Sequence, residues 1–135
     1  HGNSVSPNTV ISVSGLPAGG YTNGAVYSLT LSITNTTITG PNLRDGFDMT
    51  STGGSFTAVA GTALNGANEI RHTTPKTVVS GTASWTFNWT APVSGSATVN
   101  FNVAGNGGGD GSEKKSIDYR DNRPRWFVSC GIIIE

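Results

Sequence analysis

The run Trp85-Thr86-Phe87-Asn88-Trp89-Thr90-Ala91-Pro92 constrains this chain more than any other. Aromatic and small polar residues alternate along it. In a β-strand, successive side chains project to opposite faces. Trp85, Phe87 and Trp89 therefore share one face, and Thr86, Asn88 and Thr90 the other. Pro92 has no N–H to give to a ladder, so the strand stops or reaches an edge there. Large rings on one face need a second layer to cover them. The run thus argues for two packed sheets around an aromatic core.

The rest of residues 1–111 carries the same signal. Val10 to Ser14 is a short strand ending at Gly15-Leu16-Pro17. Val26 to Thr34 alternates most cleanly: Tyr27, Leu29, Leu31 and Ile33 face one way, and Ser28, Thr30, Ser32 and Thr34 the other. Gly46 to Thr50 offers Phe47 and Met49 to a core. Ser55 to Ala60 and Glu69 to Thr73 are shorter strands, and Ala97 to Val103 turns Val99, Phe101 and Val103 inward. Turn chemistry separates them: Ala18-Gly19-Gly20, Asn23-Gly24, Gly53-Gly54, Asn65-Gly66 and Ser94-Gly95. No stretch here has a helical period. About seven short strands at this spacing predict an all-β, immunoglobulin-like, two-sheet antiparallel β-sandwich. Its predicted core is Tyr27, Leu29, Leu31, Ile33, Phe47, Trp85, Phe87, Trp89, Val99 and Phe101.

With 135 residues, the chain has the length of one domain. Charged residues make up 12%, about half the usual globular share of roughly 25%. The net charge is zero, and nothing points to a nucleic-acid partner, which would need a basic face. The polar positions are filled by Ser, Thr and Asn, a composition associated with secreted bacterial β-proteins. Cys130 is the single cysteine, which leaves no intramolecular disulfide within the chain. No apolar run approaches the ~20 residues of a membrane-spanning helix. The start at His1, without Met or a signal peptide, reads as a mature terminus or a fragment.

Composition shifts abruptly after the Gly, Asn and Asp of Gly105 to Gly111. Residues 112–135 hold five of the eight basic residues and four of the eight acidic ones, and end in an apolar run through Ile132-Ile133-Ile134. The predicted organisation is a sandwich over 1–111 and a charged tail over 112–135. The tail is a linker with a final edge strand, a strand offered to another chain, or a segment foreign to the domain.

In order, the chain has Gly15-Leu16-Pro17, Gly20-Tyr21-Thr22-Asn23-Gly24, Tyr27-Ser28-Leu29-Thr30, Gly46-Phe47-Asp48-Met49-Thr50, Arg71-His72-Thr73, Ser84 through Pro92, and Val99-Asn100-Phe101. Over residues 1 to about 111 this resembles the bacterial reeler-like, or choice-of-anchor V, domains of secreted surface proteins. The resemblance implies an extracellular β-sandwich at a bacterial cell surface, usually within a longer chain. It also implies a Cys-x-x-Cys-His segment before the first strand. His1 stands where that His would be, without the two cysteines.

His1 and His72 are the only histidines. Alternation places His72 on the face of Ile70, where a core His would be neutral and bonded to a backbone carbonyl. If Cys-x-x-Cys preceded His1, as the resemblance implies, His1 would be the proximal ligand of a c-type haem and His72 the distal one. The parent would then be an electron-transfer domain, although this chain lacks the thioethers that hold such a haem. Alternatively, an N-terminal His gives one metal its amine and a ring nitrogen, and a second His completes a site suited to Cu(II). His1-Gly2 looks like the start of a lytic polysaccharide monooxygenase, in which such a copper site sits on a similar sandwich. Two histidines on one ion must bring their ring nitrogens within about 4–5 Å, at the same end of the sandwich.

For calcium, Asn106, Asp110 and the Asp45/Asp48 pair supply oxygen ligands on predicted loops, with no EF-hand spacing. No Gly-x-Ser-x-Gly elbow or P-loop occurs, and carboxylates are few. Asn35-Thr36-Thr37 and Asn88-Trp89-Thr90 match the glycosylation sequon. No catalytic residue is assigned. The expected function is a secreted, non-catalytic binding or structural module whose partner is an extracellular ligand or a neighbouring surface protein.

Overall fold

The computed structural model describes residues 9–35, 43–95, 98–107, 114–122 and 125–131, the last two segments through their backbone. The strands are β1 (Thr9–Ser14), β2 (Val26–Asn35), β3 (Arg44–Ser51), β4 (Ser55–Thr57), β5 (Thr62–Leu64), β6 (Glu69–His72), β7 (Lys76–Thr77), β8 (Thr82–Thr90), β9 (Asn100–Asn106), β10 (Lys114–Asn122) and β11 (Arg125–Gly131). They form two antiparallel sheets. Sheet one runs β1-β2-β8-β4, and sheet two runs β11-β10-β9-β3-β6-β5, with β7 also on β3. The chain is the all-β, two-sheet sandwich that the alternation predicts. Among the described residues, no helix is long and apolar enough to cross a membrane.

Sheet one is built on the two best-alternating runs. β2 and β8 pair Tyr27 with Trp89, Leu29 with Phe87, Leu31 with Trp85 and Ile33 with Ala83. One register thus turns all these apolar residues toward sheet two. The rings interlock across the gap. Phe47 of sheet two lies 4.9 Å from Trp85 and stacks on Phe87 at 5.7 Å. Phe101 meets Trp89 edge-on at 5.0 Å. Of the predicted core, all but Tyr27 are buried. Tyr27 is half-buried at the end of the row, where its ring stacks on Trp89 and its hydroxyl accepts the Thr22 N–H at 2.8 Å. Its polar tip remains within reach of water, as the phenol prefers.

The boundaries differ in places. The strand expected over Ser55 to Ala60 ends at Thr57, and the one expected from Ala97 begins at Asn100. Val99, just before it, is nonetheless buried. β5 and β7 have no counterpart in the sequence reading, being three and two residues long. Runs that short carry no readable period. In the tail, the β10 backbone pairs with β9 from Lys114↔Asn106 to Arg120↔Asn100, and β11 pairs with β10.

The outer faces differ. On sheet one, Ser, Thr and Asn fill the outward positions of β2 and β8, apart from Val26. Thr30–Thr86, Ser32–Ser84 and Thr34–Thr82 bond across the strands at 2.9, 2.8 and 3.0 Å. On sheet two, the described outward positions of β3 and β6 include Arg44, Asp48, Thr50, Glu69 and Arg71.

Candidate functional site

His72 closes β6, and its ring reaches the neighbouring strand. Phe47 donates its backbone N–H to Nδ1 at 3.0 Å, and the Phe47 carbonyl lies 2.9 Å from the same nitrogen. Nδ1 accepts from the amide in one tautomer and donates to the carbonyl in the other. The imidazole lies flat against Gly46, where a Cβ would fall 2.5 Å from Cε1. Any side chain at position 46 would occupy the space of the ring. In the tautomer protonated at Nδ1 the ring bonds a backbone carbonyl, as expected of a core His, but the expected core placement is not met. His72 is half-buried, because β6 ends there and the ring turns along the edge of β3 rather than into the aromatic layer.

The edge position follows from the register. Odd-numbered residues along β3 and at the position just before it direct their backbone groups away from β9: Ser51 N–H meets the Asn68 carbonyl at 2.8 Å, and the Leu43 carbonyl accepts from Val78 N–H at 2.9 Å. On the other edge, Thr52 N–H meets the Asn100 carbonyl at 3.0 Å. β6 and β7 therefore share one edge of β3, and the ring fills the gap between their ladders.

A second polar group closes the same end of the sandwich. Thr9, Asn35 and Asp45 are all buried. The Thr9 hydroxyl donates to Asn35 Oδ1 at 3.2 Å, and Asn35 Nδ2 lies 3.4 Å from each Asp45 carboxylate oxygen. Each is the polar terminus of an inward-facing apolar row: Thr9 beside Ile11, Asn35 beside Ile33, Asp45 beside Phe47. The sequence reading missed this trio; alternation carried past the last apolar residue of each strand would have put each of the three on an inner face, without bringing them together.

The other expected ligands do not converge on described ground. Asp45 and Asp48 both lie in β3 rather than on loops, and their alternation puts them on opposite faces, so they cannot hold one calcium ion together. Asp48 lies on the outer face, opposite Arg71 on β6. Burial, then the Glu69 charge, pushes the Asp48 carboxyl above its usual range; Arg71 and His72 pull the other way. Asn106 is in β9, known here through its backbone, whereas His1 and Asp110 lie outside the described residues. The expected pairing of His1 with His72 on haem or copper therefore has one described member. Among the described residues, no three His, Cys, Asp or Glu side chains gather as a metal site. Of the two sequons, Asn35 is buried in the trio, and Asn88 is exposed on the hydroxyl face of sheet one.

No family model matches the chain, and no curated protein matches it. Solved structures do. The human F-spondin reeler domain (fragment 2) superposes with a TM-score of 0.53 at 18% identity, covering 81% of this chain and 90% of that one. The Reelin-N domain of F-spondin gives 0.52 at 19%, covering 83% and 86%. At this identity, the likeness establishes a reeler-like fold.

Proposed function

We propose that the chain is a non-catalytic binding or structural module of a secreted surface protein. The observation that carries this reading is the outer face of sheet one. It presents an uncharged layer of hydroxyls and amides, tied together by cross-strand pairs at 2.8–3.0 Å. Paired hydroxyls make a poor nucleophile and a good hydrogen-bonding surface, because each oxygen retains acceptor capacity toward a ligand. The reeler-like fold and the resemblance to surface domains support the extracellular setting. Such a module works by presenting a rigid face, and its partner is an extracellular ligand or a neighbouring surface protein.

The test is accessibility on intact cells. With an epitope tag on the parent protein, external protease should remove the tag while a cytoplasmic control survives. A tag protected until the cells are lysed would overturn the extracellular setting.

A further inference from the structure

We propose that the buried trio forms a covalent cross-link, an ester joining Thr9 Oγ1 to Asn35 Cγ with loss of ammonia. Thr9 and Asn35 are direct cross-strand partners of β1 and β2. Asn35 turns its backbone N–H to the Gly81 carbonyl, at 2.8 Å and away from β1. The Thr9–Asn35 pair is therefore of the non-hydrogen-bonded kind, in which facing side chains approach most closely. The hydroxyl already donates to the amide oxygen at 3.2 Å, which holds it beside the carbonyl group it would attack. The Asp45 carboxyl lies 3.4 Å from the nitrogen that would leave.

The surroundings suit the reaction. Asp45 and Thr9 are fully buried, and Asn35 is 6% exposed. The Gly107 backbone seals the group: a Cβ there would fall 2.4 Å from Asn35 Oδ1 and 2.8 Å from Thr9 Cγ2. Exclusion of water removes the competing hydrolysis of the product.

The step balances within the chain. Thr9 Oγ1 attacks Asn35 Cγ, and its proton passes to Oδ1, the atom it already bonds. Asp45, in its protonated form, gives its proton to Nδ2. The C–N bond breaks, and ammonia leaves as the C=O reforms. The proton on Oδ1 returns to the Asp45 carboxylate. The products are one ester and one ammonia, with Asp45 restored. The cross-link fixes β1, an edge strand bonded within its sheet to β2 alone. It performs a service that one cysteine cannot.

The test is the intact mass of the full, folded chain. The expected result is a protein lighter than its sequence by one ammonia, about 17 Da. Thr9→Val and Asp45→Asn should restore the full mass, and Thr9→Ser should keep the loss. Cleavage after Tyr21 and Tyr27 should leave two pieces joined, with fragmentation placing the bond between residues 9 and 35. That readout decides the matter even if Thr9→Val fails to fold. A wild-type mass equal to the sequence overturns the proposal. So does a loss that persists in Thr9→Val, which would instead mark asparagine cyclisation, as at Asn23-Gly24 or Asn65-Gly66.

Discussion

The His72 imidazole takes the place of a backbone rung opposite Phe47. The β3–β6 ladder runs through Thr50↔Glu69, Met49↔Ile70 and Asp48↔Arg71, and its next step would pair Phe47 with His72. At that step Nδ1, rather than the His72 main chain, faces the amide and the carbonyl of Phe47, and bonds one or the other according to the tautomer. A buried backbone amide without a partner is costly, so the ring is first of all a structural element. Its placement depends on Gly46, which supplies the space.

His72→Ala should therefore destabilise the fold by about 1–3 kcal/mol, the cost of orphaned backbone groups. Gly46→Ala should cost a similar amount, about 1–3 kcal/mol, because its methyl displaces the ring. The two effects share one cause. In the His72→Ala background, Gly46→Ala should cost little or nothing. Urea unfolding of the two single variants and the double variant measures this coupling, and simple additivity would refute the ring-on-glycine account.

Asp48 makes stability depend on pH. Its carboxyl is raised above the ordinary value by burial and by Glu69. The folded state thus holds its proton more tightly than the unfolded chain. The resulting stabilisation is complete below the ordinary Asp value and is lost as pH rises through the raised folded value. Asp48→Asn removes that loss. The melting temperature of the variant relative to the parent should climb between about pH 3 and pH 7. A difference that stays flat or falls over that range would count against the assignment.

The aromatic layer should dominate stability. Phe87 is buried between Phe47 and Phe56, with ring centroids at 5.7 and 5.8 Å. Phe87→Ala should cost about 3–5 kcal/mol, and Leu31→Ala about 2–5 kcal/mol. Denaturant melts measure both. A cost below about 1 kcal/mol at Phe87 would mean that the sheets close over the cavity.

A chain truncated after Gly111 should still unfold cooperatively. The buried hydrophobic residues whose side chains are described all precede Ala104, and they come from both sheets. Loss of a sharp thermal transition would show that β10 completes the sandwich, and that the boundary lies beyond residue 111.

Residue alternation by itself determined the sandwich. A period of two is a local property: Leu29, Leu31 and Ile33, or Trp85, Phe87 and Trp89, must share a face in any extended chain. The need to cover that face then demands a second sheet. Turn glycines and Pro92 set most strand ends, because their backbone preferences are equally local. Only the tertiary structure decided which strands are neighbours, and with that the polar sites. Asp45 and Asp48, three residues apart, parted to opposite faces once β3 formed. Thr9, Asn35 and Asp45 met because three strands end at one level of the sandwich. His72 left its expected core position because β6 stops where β3 has a gap and Gly46 leaves room. Such encounters depend on register between distant segments, and no local pattern encodes that register.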